Sequence, residues 1–304
     1  MTVCVAAICE GNTIIGASDR MLTSGTIEFE PQRSKIRILS NSIFAMLAGD
    51  SALQDEVWQK LWLDVNERIK AEPQNWWNVR DVAELYSHYY GESKRIRAER
   101  CLLAPLGLDS KTFIARQKEM DEGLVNRLTK ELQRFEMPDV QAILTGRDNI
   151  GTHIYVANNE DVYCYDSVGF ASIGIGAGHA NSQMMFSGHT TLKSFPETLL
   201  LVYSAKRRAE VAPGVGKHTD MFIIWPKLGT STIIGQDERT KNVLPELLRI
   251  YRKEQIGERT AANKAKNSAK SFIKKLAREA ETALKKVQQP ILLDNKEGTP
   301  NEKK

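Results

Sequence analysis

The stretch that decides the fold is Thr2–Ser18, which reads TVCVAAICEGNTIIGAS. Residues 2–9 and 13–18 are apolar on both faces of an extended chain, as is typical of strands that other layers cover on both sides. Between them, Glu10-Gly11-Asn12 supplies turn residues. The sequence therefore predicts an N-terminal β-hairpin. Chain ends usually fray, so a strand that starts at Thr2 suggests that this end of the chain has a role.

Beyond the hairpin, strand and helix patterns alternate in blocks. Further strands are predicted up to residue 48, with Ile27–Phe29 and Lys35–Leu39 as a second pair of short strands. Two amphipathic helices follow between residues 51 and 90. Four strands between residues 140 and 175 precede two more helices, up to residue 209, and a last pair of strands ends near residue 235. Runs of strands separated by pairs of helices favour an α+β fold in which two stacked sheets are flanked by helix layers, a four-layer αββα sandwich.

Charge divides the chain into a body and a basic extension. The whole chain carries a net charge of +4, but residues 258–304 alone carry +6, which leaves −2 for the rest. We expect a main domain over residues 2–240 with an insertion at about 96–137, a basic amphipathic helical extension over 241–289 and a disordered tail over 290–304. An apolar stripe on the extension favours docking on a neighbouring subunit over nucleic-acid binding.

Several classes of function are disfavoured by the composition and by missing motifs. No apolar run reaches the roughly 18–20 residues of a membrane helix, and the first residues do not resemble a signal peptide. The four cysteines are interpreted as reduced, buried thiols of a cytoplasmic protein. The five histidines lack metal-ligand spacing, and the glycines of Gly174–Gly178 are misplaced for a dinucleotide loop. We therefore expect neither a metal nor a cofactor.

A series of short motifs carries a family resemblance. Thr2 follows a removable Met, and Asp19 ends the segment ASD. Lys35 precedes a strand, and LAGD ends at Asp50. The remaining segments are TSG at 23–25, SIGIGAGHA at 172–180, AKRRAEV at 205–211 and HTDMFIIW at 218–225. In this order and spacing, over roughly residues 2–235, the chain resembles the β-type subunits of the proteasome and the bacterial HslV peptidase. Both are N-terminal-nucleophile (Ntn) hydrolases, and this chain resembles a divergent bacterial member.

The resemblance implies a catalytic group that is chemically coherent. Removal of Met1 would give Thr2 a free α-amine, with an ordinary pKa of about 7.7–8.0, as the base for its own hydroxyl. Lys35 would favour the ionised hydroxyl, and Asp19 would keep Lys35 charged and oriented. The N–H of Gly49 would bind the oxyanion of the tetrahedral intermediate.

Further residues are assigned by the same resemblance. Thr219 aligns with a supporting serine of the family, and Gly216 falls where an aspartate is common. We expect Asp220 to replace that aspartate from a neighbouring position. The pocket for the residue before the cleaved bond would be lined by four side chains, with Arg33 favouring acidic substrates, and these are Leu22, Arg33, Leu47 and Ser51.

The resemblance implies a threonine peptidase that works through an acyl-ester intermediate. Members of the family assemble as stacked rings that enclose their sites, so a homo-oligomer acting on peptides or unfolded proteins is expected, and an ATPase partner is left open. Two alternatives remain at this stage. One is an Ntn amidohydrolase that uses the same residues on small amides, and the other is a noncatalytic ring subunit.

Overall fold

The computed structural model describes residues 2–24, 27–72, 77–236 and 238–287. The chain divides into two compact units, Met1–Leu248 and Arg249–Lys304. Three expectations concern residues outside the described ranges: the removal of Met1, the glycine of the TSG segment at residue 25 and the disordered tail over 290–304.

The N-terminal hairpin lies at the centre of a five-stranded antiparallel sheet. It is formed by β1 (Cys4–Cys9) and β2 (Thr13–Ser18), both fully buried as predicted. The other strands are β10 (Phe170–Ile173), β11 (Asp220–Ile224) and β12 (Ser231–Ile233). Their order is β10-β1-β2-β11-β12, so the first strand of the chain is covered by a hydrogen-bonded neighbour on each side.

A second five-stranded sheet has the order β5-β6-β7-β8-β9. Its strands are β5 (Ile36–Ser40), β6 (Ile43–Gly49), β7 (Val140–Arg147), β8 (Thr152–Asn158) and β9 (Asp161–Cys164). The predicted short strand at Ile27–Phe29, β4, does not pair with β5; it pairs instead with β3 (Leu22–Ser24) in a separate ribbon. All three residues of β4 are exposed, so the ribbon has no core face that could have identified its partner from sequence.

The helices follow the predicted order, with some longer than expected. Of the first two, α1 (Ser51–Ala71) has the predicted bounds and α2 (Val79–Ala98) extends eight residues beyond the predicted end at residue 90. In the insertion, α3 (Ser110–Arg116) and α4 (Glu122–Gln133) are joined to α2 by short π- and 3₁₀-helical turns. The later helices are α5 (Ala177–Phe186), α6 (Phe195–Ala209) and α7 (Val243–Val287).

The two five-stranded sheets share one hydrophobic core. Residues of β1, β2 and β11 form a single buried cluster with residues of β6, β7 and β8. At its centre, the rings of Phe44 and Phe222 stack with centroids 4.6 Å apart. Gly16 makes this possible, because a Cβ there would lie 2.1 Å from the Phe222 ring. A second cluster joins α1 and α2 to the second sheet. The structure is therefore a mixed α/β fold in which both sheets are positioned by apolar packing.

The interpretation of all four cysteines as buried is wrong for two of them. Cys4 and Cys9 are buried, as expected for the central strand β1, but Cys101 and Cys164 are exposed. Cys101 lies on the π-helical turn after α2, and Cys164 ends the edge strand β9. Neither position has a layer above it, which the local apolar sequence did not reveal.

The C-terminal extension is helical, as predicted. Helix α7 is 45 residues long, and its apolar residues Phe272, Ile273, Leu276 and Leu284 are exposed. Within the described ranges, no helix combines the length and apolarity needed to cross a membrane.

A half-buried histidine, His153, links the second sheet to the start of α2. Nδ1 of His153 lies 2.6 Å from Asp166 Oδ2, and its Nε2 lies 3.2 Å from Asp148 Oδ1. The other oxygen of Asp148 accepts the N–H of Val79, the first residue of α2. The hydrogen bond to Asp166 raises the pKa of His153 above its ordinary value, against the opposing effect of burial. Protonated His153 thus ties the two carboxylates together.

This arrangement predicts a pH-dependent stability. Because the pKa of His153 is raised in the folded state, its contribution is fully present below its unfolded pKa of about 6.5 and is lost as the pH rises through the raised value. At acidic pH, the free energy of unfolding of the wild type should exceed that of the His153→Gln variant by on the order of 1 kcal/mol. The difference should be smaller at about pH 9. Urea unfolding at both pH values tests this, and a difference that is constant with pH would contradict it.

Candidate active site

The central hairpin places the residue before its first strand next to the residue after its second strand. Thr2 precedes β1 and Asp19 follows β2, and the antiparallel register pairs Cys4 with Ser18. The hydrogen bond from Asp19 N–H to Val3 O, at 3.2 Å, continues this ladder by one step. Two polar residues 17 positions apart in sequence are therefore neighbours because the strands between them are paired and buried.

The carboxylate of Asp19 is fully buried and accepts four hydrogen bonds. Oδ1 accepts the N–H of Val3 at 3.0 Å and the ammonium of Lys35 at 2.9 Å. Oδ2 accepts the N–H of Met21 at 3.0 Å and the N–H of Gly216 at 2.8 Å. Two oxygens with two lone pairs each are thus used completely, which fixes the orientation of the carboxylate.

Lys35 connects Asp19 to Thr2. It lies just before β5, the edge strand of the second sheet, and it is buried. Its Nζ donates to Asp19 Oδ1 and also to Thr2 Oγ1 in a close contact. An ammonium next to a hydroxyl oxygen favours negative charge on that oxygen. The structure thus brings together the three side chains that the sequence selected, one of them from the other sheet.

The backbone of Thr2 is held by the glycine-rich segment after β10. Thr2 O accepts the N–H of Gly176 at 3.1 Å. Gly174 has φ +86°, and a Cβ there would lie 2.4 Å from Thr2 O. Only a residue without a side chain allows the segment to come so close. Glycines that are misplaced for binding a dinucleotide therefore serve to fix the position of Thr2.

Thr2 opens onto a cleft of about 210 Å³. Its lining includes Lys35 and Gly49, together with the four residues assigned to the substrate pocket, which are Leu22, Arg33, Leu47 and Ser51. Gly49 has φ +111°, and a Cβ there would lie 2.2 Å from Asp139 O, so this wall of the cleft requires glycine. The sequence thus selected residues that line one cavity.

The cleft also contains two charged residues that the sequence analysis missed, Arg37 and Asp55. Arg33 Nη1 lies 3.1 Å from Asp55 Oδ2, and Arg37 Nη2 lies 3.3 Å from Asp55 Oδ1. Burial lowers the pKa of Arg37, and the nearby Arg33 lowers it further. The Nε of Arg37 is buried and has no hydrogen-bond acceptor among the described residues. One carboxylate is thus shared by two guanidinium groups at the cleft.

Two of the predicted supporting residues lie outside this hydrogen-bond network. Asp220, which was expected to replace the family aspartate from a neighbouring position, is held by Arg20 through a bidentate ion pair, with Nε 2.9 Å from Oδ2. Thr219 is half-buried just before β11, and the four groups that donate to Asp19 do not include it.

Cys4 is a second nucleophile close to the site, but its environment keeps it inert. Its side chain is fully buried, and burial raises the pKa of the thiol well above its ordinary range. Since the thiolate is the reactive form of cysteine, Cys4 remains a protonated core residue. The hydroxyl of Thr2 is therefore the nucleophile that the geometry favours.

A buried lysine behind the site was also missed. Lys206 lies on the buried face of α6, one turn after Val202, and is fully buried. Its ammonium lies 2.7 Å from Glu210 Oε1 and 2.9 Å from Gly216 O. A lysine at a core-facing position of an amphipathic helix was the available signal, but the segment AKRRAEV was interpreted only as part of a helix and of the family resemblance.

Comparison of the chain with protein-family models and with curated proteins finds no match. The functional interpretation therefore rests on the residues of the site and on their geometry.

Proposed function

We propose that the chain is an N-terminal threonine hydrolase that cleaves peptide bonds, built as a proteasome-like four-layer αββα sandwich. The observation that carries this proposal is the contact of Lys35 with both Thr2 Oγ1 and the saturated carboxylate of Asp19. A structural ion pair would need only Lys35 and Asp19. The third partner is a hydroxyl next to the position where removal of Met1 would leave an α-amine.

The mechanism follows from these groups. The Thr2 α-amine accepts the hydroxyl proton, directly or through water, while Oγ1 attacks the carbonyl carbon of the substrate. Lys35 stabilises the developing charge on Oγ1, and the N–H of Gly49 is assigned to the oxyanion. The proton passes to the leaving amine as the C–N bond breaks and the acyl ester remains on Thr2. Water then hydrolyses the ester and restores the hydroxyl.

The assembly, the cellular location and the substrates of the chain are proposed on the same basis. Stacked homo-oligomeric rings in the cytoplasm would enclose the cleft and admit only peptides or unfolded proteins. Small amides as substrates, and a noncatalytic ring subunit, are the alternatives that the substrate experiment separates.

The cleft predicts a preference for an acidic residue before the cleaved bond. A substrate carboxylate can pair with the largely exposed guanidinium of Arg33 and is also attracted by the nearby charge of Arg37, whereas an uncharged side chain gains neither interaction. We expect kcat/KM for a fluorogenic peptide with Glu at this position to exceed that for its Gln counterpart by about tenfold, equivalent to about 1.4 kcal/mol. Arg33→Gln should remove most of this ratio, and Asp55→Asn should increase it.

The control is Arg80→Gln, which breaks an exposed ion pair with Glu84 on α2 and should leave the Glu/Gln ratio unchanged. If the Glu and Gln peptides are cleaved at equal rates, the assigned preference is contradicted but the proposed peptidase activity is not. Turnover restricted to small amides would favour the amidohydrolase, and no turnover of either class would favour a noncatalytic subunit.

A further inference from the structure

The buried ammonium of Lys206 has no role in the mechanism above, yet a single residue, Gly216, connects it to Asp19 of the site. Burial lowers its pKa, whereas the hydrogen bond to Glu210 raises it, and Asp19 is near enough to add a weaker favourable interaction. A fully buried lysine is unfavourable unless its protons are satisfied. Here Glu210 and the carbonyl of Gly216 accept from it.

Gly216 is the link between Lys206 and Asp19. Its carbonyl accepts from Lys206, and its N–H donates to Asp19 Oδ2 at 2.8 Å. A side chain at this position would displace the carboxylate of Glu30, since a Cβ would lie 2.0 Å from Glu30 Oε1. Glu30 in turn accepts the N–H of His218. The segment 210–219 between α6 and β11 is thus held by Lys206 and Asp19 at Gly216 and by Glu30 at His218.

We infer that Lys206 is a positioning residue for the nucleophile, acting through Gly216, Asp19 and Lys35. This inference rests on the proposed function of Thr2. With the carbonyl of Gly216 held, its N–H remains on Asp19 and completes the four donors of that carboxylate. Asp19 then presents Oδ1 to Lys35, whose ammonium reaches Thr2 Oγ1. Without Lys206 the segment relaxes, Asp19 loses one donor and the ammonium of Lys35 is less well oriented.

The test uses the double variant Lys206→Met/Glu210→Gln, which removes the buried ammonium together with its carboxylate partner. Arg207, which also pairs with Glu210, keeps its hydrogen bond to Lys217 O. The matched control is Val202→Ala, which removes buried volume from the same helix one turn earlier. We expect the double variant to lower kcat on a peptide substrate by about 10–100-fold with KM within about twofold, since the change acts on the reacting hydroxyl. Val202→Ala should lower the melting temperature without this selective loss of kcat.

A second measurement is independent of activity. Hydrogen exchange of the segment containing Gly216 should be at least about tenfold faster in the double variant than in the wild type or in Val202→Ala. Unchanged exchange, or faster exchange with unchanged kcat, would overturn the inference. If the wild type cleaves no substrate while exchange still increases, the proposed function fails but the link from Lys206 to Asp19 stands.

Discussion

Replacement of Thr2 with alanine is expected to lower kcat by about 10⁴-fold or more. The substitution removes the only atom that the mechanism bonds to the substrate. Cys4, the thiol at the start of β1, is buried with a raised pKa and so does not replace it. Thr2→Ser retains a hydroxyl on the same α-carbon and should keep activity far above that of Thr2→Ala. Steady-state turnover of the preferred fluorogenic peptide measures both.

The stability of the fold should change little in the Thr2→Ala variant. Thr2→Ala keeps the backbone carbonyl that accepts from Gly176, and Lys35 retains its bond to Asp19. We expect a free energy of unfolding within about 1 kcal/mol of the wild type. The control is Thr13→Ala, a buried threonine at the other end of the same hairpin, which should retain activity. A folded Thr2→Ala protein with wild-type turnover would show that the chain uses another nucleophile.

Replacement of Lys35 with methionine should give the second largest effect. The variant removes the ammonium that contacts Thr2 Oγ1, so we expect kcat to fall by about 10²–10⁴-fold. It also leaves the carboxylate of Asp19 buried with only its three backbone donors. Breaking a buried pair from one side costs about 3–5 kcal/mol, so a lower melting temperature is expected together with the loss of turnover.

The control separates the two consequences of this variant. Lys60→Met removes a partly buried lysine that pairs with Glu92 and Ser93 outside the cleft. It should retain turnover, because no part of the proposed mechanism involves it. If Lys35→Met is folded at the assay temperature and keeps turnover within about tenfold of the wild type, Lys35 serves only as a structural counter-ion to Asp19.

Local patterns predicted the central hairpin and α1 well. Both β1 and β2 are apolar on every residue, and the bounds of α1 agree with its four-residue apolar spacing. The exposed ribbon of β3 and β4 and the exposed Cys164 were misjudged. Short strands at an edge carry little of the alternation that reports which face is buried.

The site was predictable where it follows from one strand pairing. Thr2 and Asp19 are neighbours because β1 and β2 form a hairpin, and a hairpin is visible in sequence. The ion pair of Arg20 with Asp220 and the bond from Lys206 to Gly216 join segments distant in sequence or separated by a loop. Which polar partner such a residue selects depends on tertiary packing, and no single stretch of sequence encodes it.

The most direct test of the central claim is the intact mass of the purified protein before and after treatment with a peptide epoxyketone. This reagent forms its stable adduct only with a residue that has both a free α-amine and a neighbouring hydroxyl. We predict a chain that has lost Met1 and gains one inhibitor per molecule, with no gain in Thr2→Ala. A chain that retains Met1 and forms no adduct when assembled would contradict an N-terminal threonine nucleophile.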